Sequence, residues 1–535
     1  MNVSVKLRTS GGIVLWTAVL ILAVFAGSQY GTRVEAGTRV VVVEDDYDES
    51  LRTFTSLLSL VEQNHATPVD PEVAVYGAIE GLLRTLDPHS RFFTPEAFNQ
   101  LREDQSGSYY GLGITVTSRF GKVTVVSPPF PGAPAEKVGL RVGDVISRVN
   151  GEPTEGANLS TVVGRLKGPK GTPVNITIVR PGFDEPFDLE VIRDEISKFT
   201  ISNAFEIRDG VGYIKVDSFA ETTGAELRQA LRQLDARNLD GLILDLRGNP
   251  GGLLQQAIEV SETFLLESGQ LIVETRGRVR GSDREYSSGR TTGDGPYPLV
   301  VVIDRSSASA SEIVAGAVQD HDRGLIVGET SFGKGLVQSV YPLSKNGGLA
   351  LTTQKWYTPS GRLIQRDYAE LSEFDYYNTR EGFEASEENI RYSDLGRIVY
   401  GGGGITPDHI VPQPASDFRT RFPRMSPPFA FYTFVEEFLE TNPEITPDIE
   451  VSDELLDAFV SHVRDRGIEL TDAEVVENRA YLSVEIKYEI FYNRFGVTEA
   501  QRVSLEGDTQ IQEAIGFIPE AGDLVRRAVA ARNDG

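Results

Sequence analysis

The run Leu299–Ile303 reads Leu-Val-Val-Val-Ile, with no polar residue in it. Two similar runs accompany it, Leu242-Ile243-Leu244-Asp245-Leu246 before it and Leu325-Ile326-Val327-Gly328 after it. Successive strand residues point to opposite faces, so an unbroken apolar run needs cover on both faces. Each run is bordered by a glycine- or serine-rich turn and a helical stretch. This alternation over 205–360 predicts an α/β layered core with strands buried on both faces.

The chain has 535 residues, too many for one core, so several domains are expected. Residues 46–105 read as helices. Leu51, Phe54, Leu57, Leu58 and Val61 recur at helical spacing. A second helix is expected from Pro71 to Leu86, stopped by Asp87-Pro88. This arm packs on the rest of the chain or forms a dimer. From 108 to 196 the texture changes to short alternating runs such as Val174–Ile178, with an Asn150-Gly151 hairpin turn. That predicts a small β-rich module. Gly401–Gly404 reads as a linker. Beyond Pro427 helices are expected over Phe431–Leu439, Asp453–Arg466, Asp472–Phe495 and Thr509–Ala530.

There is no cysteine, which excludes disulfides, thiolate metal sites and a cysteine nucleophile. The net charge of -26 argues against nucleic acid or an anionic membrane surface as the main partner. Lys6 and Arg8 precede the apolar run Ile13–Gly27, the pattern of an export signal. Removal as a signal peptide and retention as an inner-membrane anchor through residues 13–27 both stay open. Either outcome puts the remainder outside the cytoplasm, in the periplasm or its equivalent.

Ser306-Ser307-Ala308-Ser309-Ala310-Ser311 lies between the strand Leu299–Ile303 and a helix. Strand carboxyl ends gather sites in α/β proteins, and unpaired N–H groups at a helix start can hold an oxyanion. Plain N-capping by serine accounts for the same residues. A nucleophilic serine needs a base. Of five histidines, only His321 falls in the α/β region. It sits at the far end of the serine helix, on the order of 15 Å away, too far to pair. The loop after the next strand supplies a lysine in Gly333-Lys334-Gly335. It is not a phosphate loop, because Gly335 stands where Ser or Thr is needed. Gln338 would share a face with Lys334 and could orient its amine. Lys334 must be neutral to act as a base, which requires burial. Arg247–Gly252, a glycine-rich turn after a strand, is the third element.

Together these motifs resemble the C-terminal processing (tail-specific) serine peptidases. The carriers are Leu244–Gly252, Ser307–Ile313 and Gly328–Gln338, with Leu86-Asp87-Pro88-His89-Ser90 and Gly403–Asp408 in support. The resemblance spans about 45 to 412. It implies Ser309 as nucleophile, Lys334 as general base and Gln338 as its support. Backbone N–H groups of Gly251 and Ala310 would form the oxyanion hole, and Asp320 would be structural. The β module resembles a PDZ domain, with Tyr110, Gly111, Leu112, Gly113 and Ile114 as its carboxylate-binding loop.

The implied fold is multidomain α+β. It comprises a signal or anchor (1–40), an N-terminal helical arm (41–105), a PDZ module (106–196), a peptidase core of crotonase- or Clp-like form (197–412) and a C-terminal helical region (413–535). The implied function is a serine endopeptidase acting near the C-termini of exported proteins. No cofactor or metal is expected. Partners would be peptides with free C-termini, with a homo-oligomer expected and no nucleic acid. Two alternatives remain: a PDZ scaffold with a silent core, and a hydrolase of non-peptide acyl substrates.

Overall fold

The computed structural model describes residues 46–533, apart from 120, 181, 290–294, 370, 379–388, 414–417, 420–421 and 423–429. The expected signal or anchor at 13–27 lies outside the described residues. Among the described residues no helix is long and apolar enough to cross a membrane. The chain divides into two compact units, Met1–Ile79 and Glu80–Gly535. The first holds the helix Asp46–Asn64, and the helix Pro71–Arg84 begins in it. Asp70 caps that second helix by accepting from the Glu72 N–H at 2.9 Å.

In the second unit, the three apolar runs form the middle of a six-stranded sheet. Ile201–Arg208 runs antiparallel to Val211–Val216, and the rest is parallel: Gly241–Asp245, Leu299–Ile303, Leu325–Gly328 and His409–Ile410. Alternation sorts neighbours onto opposite faces. Val301 packs with the helices Thr223–Gln233, Leu254–Phe264 and Ala310–Asp320. Val300 and Val302 pack with Ile511, Ala514, Ile515, Ile518 and Leu524. The second helical layer therefore comes from far downstream, from Thr509–Gly516 and Ile518–Asn533. Every residue of Ala310–Asp320 is buried, which explains its small, apolar composition.

A second, antiparallel sheet joins Arg91–Phe93, Leu336–Pro342, Leu271–Gly277 and Arg284–Ser287 around the long strand Gly348–Tyr357. The β module is a sheet ordered Val116–Arg119, Lys122–Val125, Val145–Val149, Pro173–Val179, Phe187–Ile192, with helix Leu159–Leu166 on its core. Asn150 and Gly151 both take positive φ (50° and 82°) in the hairpin that the sequence predicts.

Two expectations change. Gly401–Gly404 is a packed turn and not a linker. Gly402 and Gly404 donate to Leu363 O and Ile364 O (2.8 and 2.9 Å), and a Cβ on Gly404 would meet Ser331 O at 2.6 Å. The helices expected over Asp472–Phe495 and Thr509–Ala530 each break in two, at Asn478 and Phe517, and a further helix spans Val497–Glu506.

Candidate active site

Three strand-end turns meet at one cleft of about 1220 Å³, lined by Ser309, Lys334, Gln338, Pro250, Gly252 and Ala310 among others. The serine cluster divides its work. Ser307 Oγ donates to Leu246 O (2.8 Å) and Ser311 Oγ to Asn249 O (3.0 Å), so both staple the serine turn to the glycine turn. Ala308 N–H adds a bond to Asn249 O at 3.0 Å. Ser309 is held between them at φ 54°, ψ −109°, a conformation that side-chain-bearing residues rarely adopt. Such backbone strain is kept only where the surroundings impose it.

One side chain does most of the imposing. Glu312, 1% exposed, accepts four hydrogen bonds. They come from Ser309 N–H (2.7 Å), Ser331 Oγ (2.6 Å), Gly333 N–H (2.7 Å) and Lys334 N–H (2.9 Å). A single carboxylate thus binds the serine turn to the lysine loop. Burial pushes its carboxyl above the ordinary value, and the four donors offset this only in part.

Burial holds the Lys334 amine below the ordinary lysine value, and the Arg91 charge adds to this. Glu312 and Asp87 act in the opposite sense. Ser309 and Lys334 share the cleft without a hydrogen bond between Oγ and Nζ among the described contacts. His89 lies in the same cleft with Nε2 3.0 Å from the Tyr376 hydroxyl. Burial, then the Lys334 charge, lower its imidazole to about 3, so it stays neutral at ordinary pH.

Two expected roles shift. Gln338 lines the cleft, but its Nε2 donates to Thr352 Oγ1 (3.2 Å), which in turn donates to Asp87 Oδ1 (3.0 Å). It makes no hydrogen bond to Lys334. Lys334 lies in the loop before the strand Leu336–Pro342, so strand alternation does not relate positions 334 and 338. Gly251 gives its N–H to Asn249 Oδ1 at 2.9 Å. The N–H groups of Gly252 and Ala310 have no hydrogen-bond acceptor among the described residues. The oxyanion donors this geometry offers are therefore Gly252 and Ala310. Asp320 is structural, as expected: it pairs with Arg362 and accepts from Ser360 N–H at 2.9 Å.

Sequence reasoning did not assign Glu312, His89 or Arg91 to this cleft. The first lies three residues after Ser309, at the place of a capping-box glutamate, which was the available signal. The other two come from a segment over 200 residues upstream of the serine turn, and local pattern carries no such signal.

Gly251 constrains the site sterically. It takes φ +97°, and a Cβ there would lie 2.7 Å from Ala308 O and 2.8 Å from Ser309 Cβ. Gly251→Ala is expected to cost roughly 2 kcal/mol or more of stability and to displace the serine turn. Thermal melts read alongside peptide turnover check this.

In the β module, Tyr110 and Gly111 belong to a strand, Ser108–Gly111, paired with Asp194–Ser197. The N–H groups of Leu112, Gly113 and Ile114 donate no hydrogen bond to described residues. The next strand, Val116–Arg119, is at the edge of its sheet. The expected five-residue loop thus splits into two ladder residues and three with open donors.

Comparison with known proteins agrees with this architecture. The model of peptidase family S41 matches residues 210–370, and that of the PDZ domain matches 125–180. The chain is 40% identical over 326 residues to a carboxy-terminal-processing protease of Bartonella bacilliformis, covering 60% of this chain and 74% of that one. It is 34% identical over 342 residues to the carboxy-terminal processing protease CtpB of Bacillus subtilis (63% and 70% covered). It is 38% identical over 305 residues to a carboxyl-terminal-processing protease of Synechocystis sp. (56% and 70% covered). With most of each relative's length matched and the S41 segment enclosing the cleft's serine and lysine turns, the chain belongs to the carboxy-terminal processing proteases of peptidase family S41 and carries a PDZ domain.

Proposed function

We propose that this protease cuts exported proteins near their C-termini with a Ser309–Lys334 dyad, while its PDZ domain holds the substrate C-terminus. The carrying observation is the strained Ser309 in one cleft with a desolvated lysine, the two turns tied by Glu312. Ser309 Oγ attacks the scissile carbonyl as Lys334 Nζ takes its proton. The oxyanion meets the N–H groups of Gly252 and Ala310. Lys334 then returns the proton to the leaving amine, and water repeats the cycle on the acyl-enzyme. The missing Oγ–Nζ hydrogen bond fits a resting state that closes on substrate, since such bonds often tighten only in the complex. Gln338 acts through Thr352 and Asp87 on the wall of the cleft.

The open N–H groups of Leu112, Gly113 and Ile114 support capture of a peptide carboxylate, with the peptide adding beside Val116–Arg119. Lys6, Arg8 and the apolar run 13–27 support export, either as a cleaved signal or as a membrane anchor. A homo-oligomer through the N-terminal helices is part of the same reading.

The test is the pH profile of kcat/KM on a peptide. Only the neutral amine accepts a proton, so activity is lost as pH falls through the Lys334 pKa and is full above it. Because burial and Arg91 lower that pKa, the acid limb is expected below the ordinary lysine value of about 10.4. A limb at the ordinary value, or none, would refute the lysine base.

A further inference from the structure

The cleft carries a charge opposite to that of the whole chain. The chain has a net charge of -26, yet the cleft lining holds Arg91, Arg305 and Lys334 against Glu221 as its one carboxylate among the described residues. Two of the three cations have other business. Arg305 pairs with Glu329 at 2.9 Å, and the Lys334 amine is desolvated in the cleft wall. Arg91 differs. It is exposed at the start of the edge strand Arg91–Phe93 and has no carboxylate partner among the described residues.

Arg91 is nonetheless held in place. Its Nη2 donates to the Tyr377 hydroxyl at 3.1 Å, and its guanidinium lies 5.8 Å from the centre of that ring. The Tyr377 hydroxyl donates to Pro88 O at 3.0 Å, so the tyrosine is itself fixed. The nearby acid, Asp87, is turned away. It accepts from the N–H groups of His89 and Ser90 and from the hydroxyls of Ser90 and Thr352. One N–H of the guanidinium is used, and the rest of its planar fork is left to the cleft. A fork held this way matches a carboxylate.

We propose that Arg91 is a specificity determinant that binds a carboxylate of the peptide in the cleft. Two sources carry that chemistry: the C-terminal α-carboxylate, and an Asp or Glu side chain near the scissile bond. The proposal rests on the peptidase reading of the cleft. It also offsets a physical problem, because a polyanionic protein repels acidic peptides, and a local cation reverses that field at the site.

The experiment compares four versions of one peptide, with Glu or Gln beside the scissile bond and a free or amidated C-terminus. The quantity read is the ratio of kcat/KM between acidic and neutral versions. In the wild type a ratio of about 10–100 is expected for one of the two pairs, and which pair shows it identifies the source. Arg91→Gln is expected to bring that ratio to about 1, Arg91→Glu to invert it, and Arg91→Lys to retain part of it. Thermal melts identify any variant that does not fold. Equal handling of both pairs by the wild type overturns the proposal. So does an α-carboxylate preference that survives Arg91→Gln, which would assign it to the PDZ loop. The same ratios, read as binding affinities of labelled peptides in the Ser309→Ala background, separate the two claims. If Ser309→Ala still hydrolyses peptide while Arg91→Gln loses the acid preference in binding, the dyad fails and the carboxylate site stands.

Discussion

Peptide turnover by the Ser309→Ala variant is expected to fall by about 10⁵-fold or more, leaving what binding and the oxyanion donors sustain alone. Lys334→Ala is expected to fall comparably, because nucleophile and base act as one unit and their losses do not add. The double variant should be no worse than either single one. Lys334→Arg does not rescue, since a guanidinium stays protonated throughout the accessible pH range. Steady-state hydrolysis of a fluorogenic peptide checks this series, with melts to show that the fold persists. Ser307→Ala provides the contrast. Its hydroxyl bonds Leu246 O and not the cleft, so its effect should appear first in stability. If Ser309→Ala retained a tenth of wild-type turnover, the assignment of the nucleophile would be wrong.

The second large effect is expected at Glu312. Removing the carboxylate by Glu312→Ala strands three backbone N–H groups and the Ser331 hydroxyl in a dry interior. An unsatisfied buried donor costs roughly 1–3 kcal/mol, and relaxation shares the loss among neighbours, so a fall of about 3 kcal/mol or more is expected. The same change frees the serine turn from the lysine loop, and kcat should drop by about 10²-fold or more. Glu312→Gln does not restore either quantity, because its amide nitrogen would face donors. Hydrogen exchange at Gly333 and Lys334 gives the local readout: protection at these two amides should fall more than in the sheet. Unchanged protection with full activity would show that the loop is held by other contacts.

The sequence made the core legible because strands buried on both faces leave apolar runs that few other environments produce. Leu299–Ile303 is the clearest case. The meeting of the serine turn and the lysine loop was readable for a related reason: each follows such a run, so topology brings the two to one sheet edge. Pairwise orientation was less readable. The Gln338 argument assumed one regular element over 334–338, whereas Lys334 lies in a loop and Gln338 in the strand that follows, its amide on Thr352. Gly401–Gly404 looked like a linker because glycine carries no packing signal. Here its lack of a side chain permits close approach to Ser331. The sequence indicated helix over Thr509–Ala530 but not what those helices cover. They cover a sheet whose central strands lie more than 180 residues earlier, and only three-dimensional folding reveals it.

That downstream layer sets an order of events during biosynthesis. Arg247, at the glycine turn, pairs with Asp508 at 2.8 Å, and the helices that follow seal Ile243, Val300 and Val302 from water. Until a ribosome has delivered residues 508–533, the sheet is oily on one side and Arg247 has only Asp245 as its carboxylate partner among the described residues. Synthesis must therefore reach these last helices before the sheet is covered on both faces.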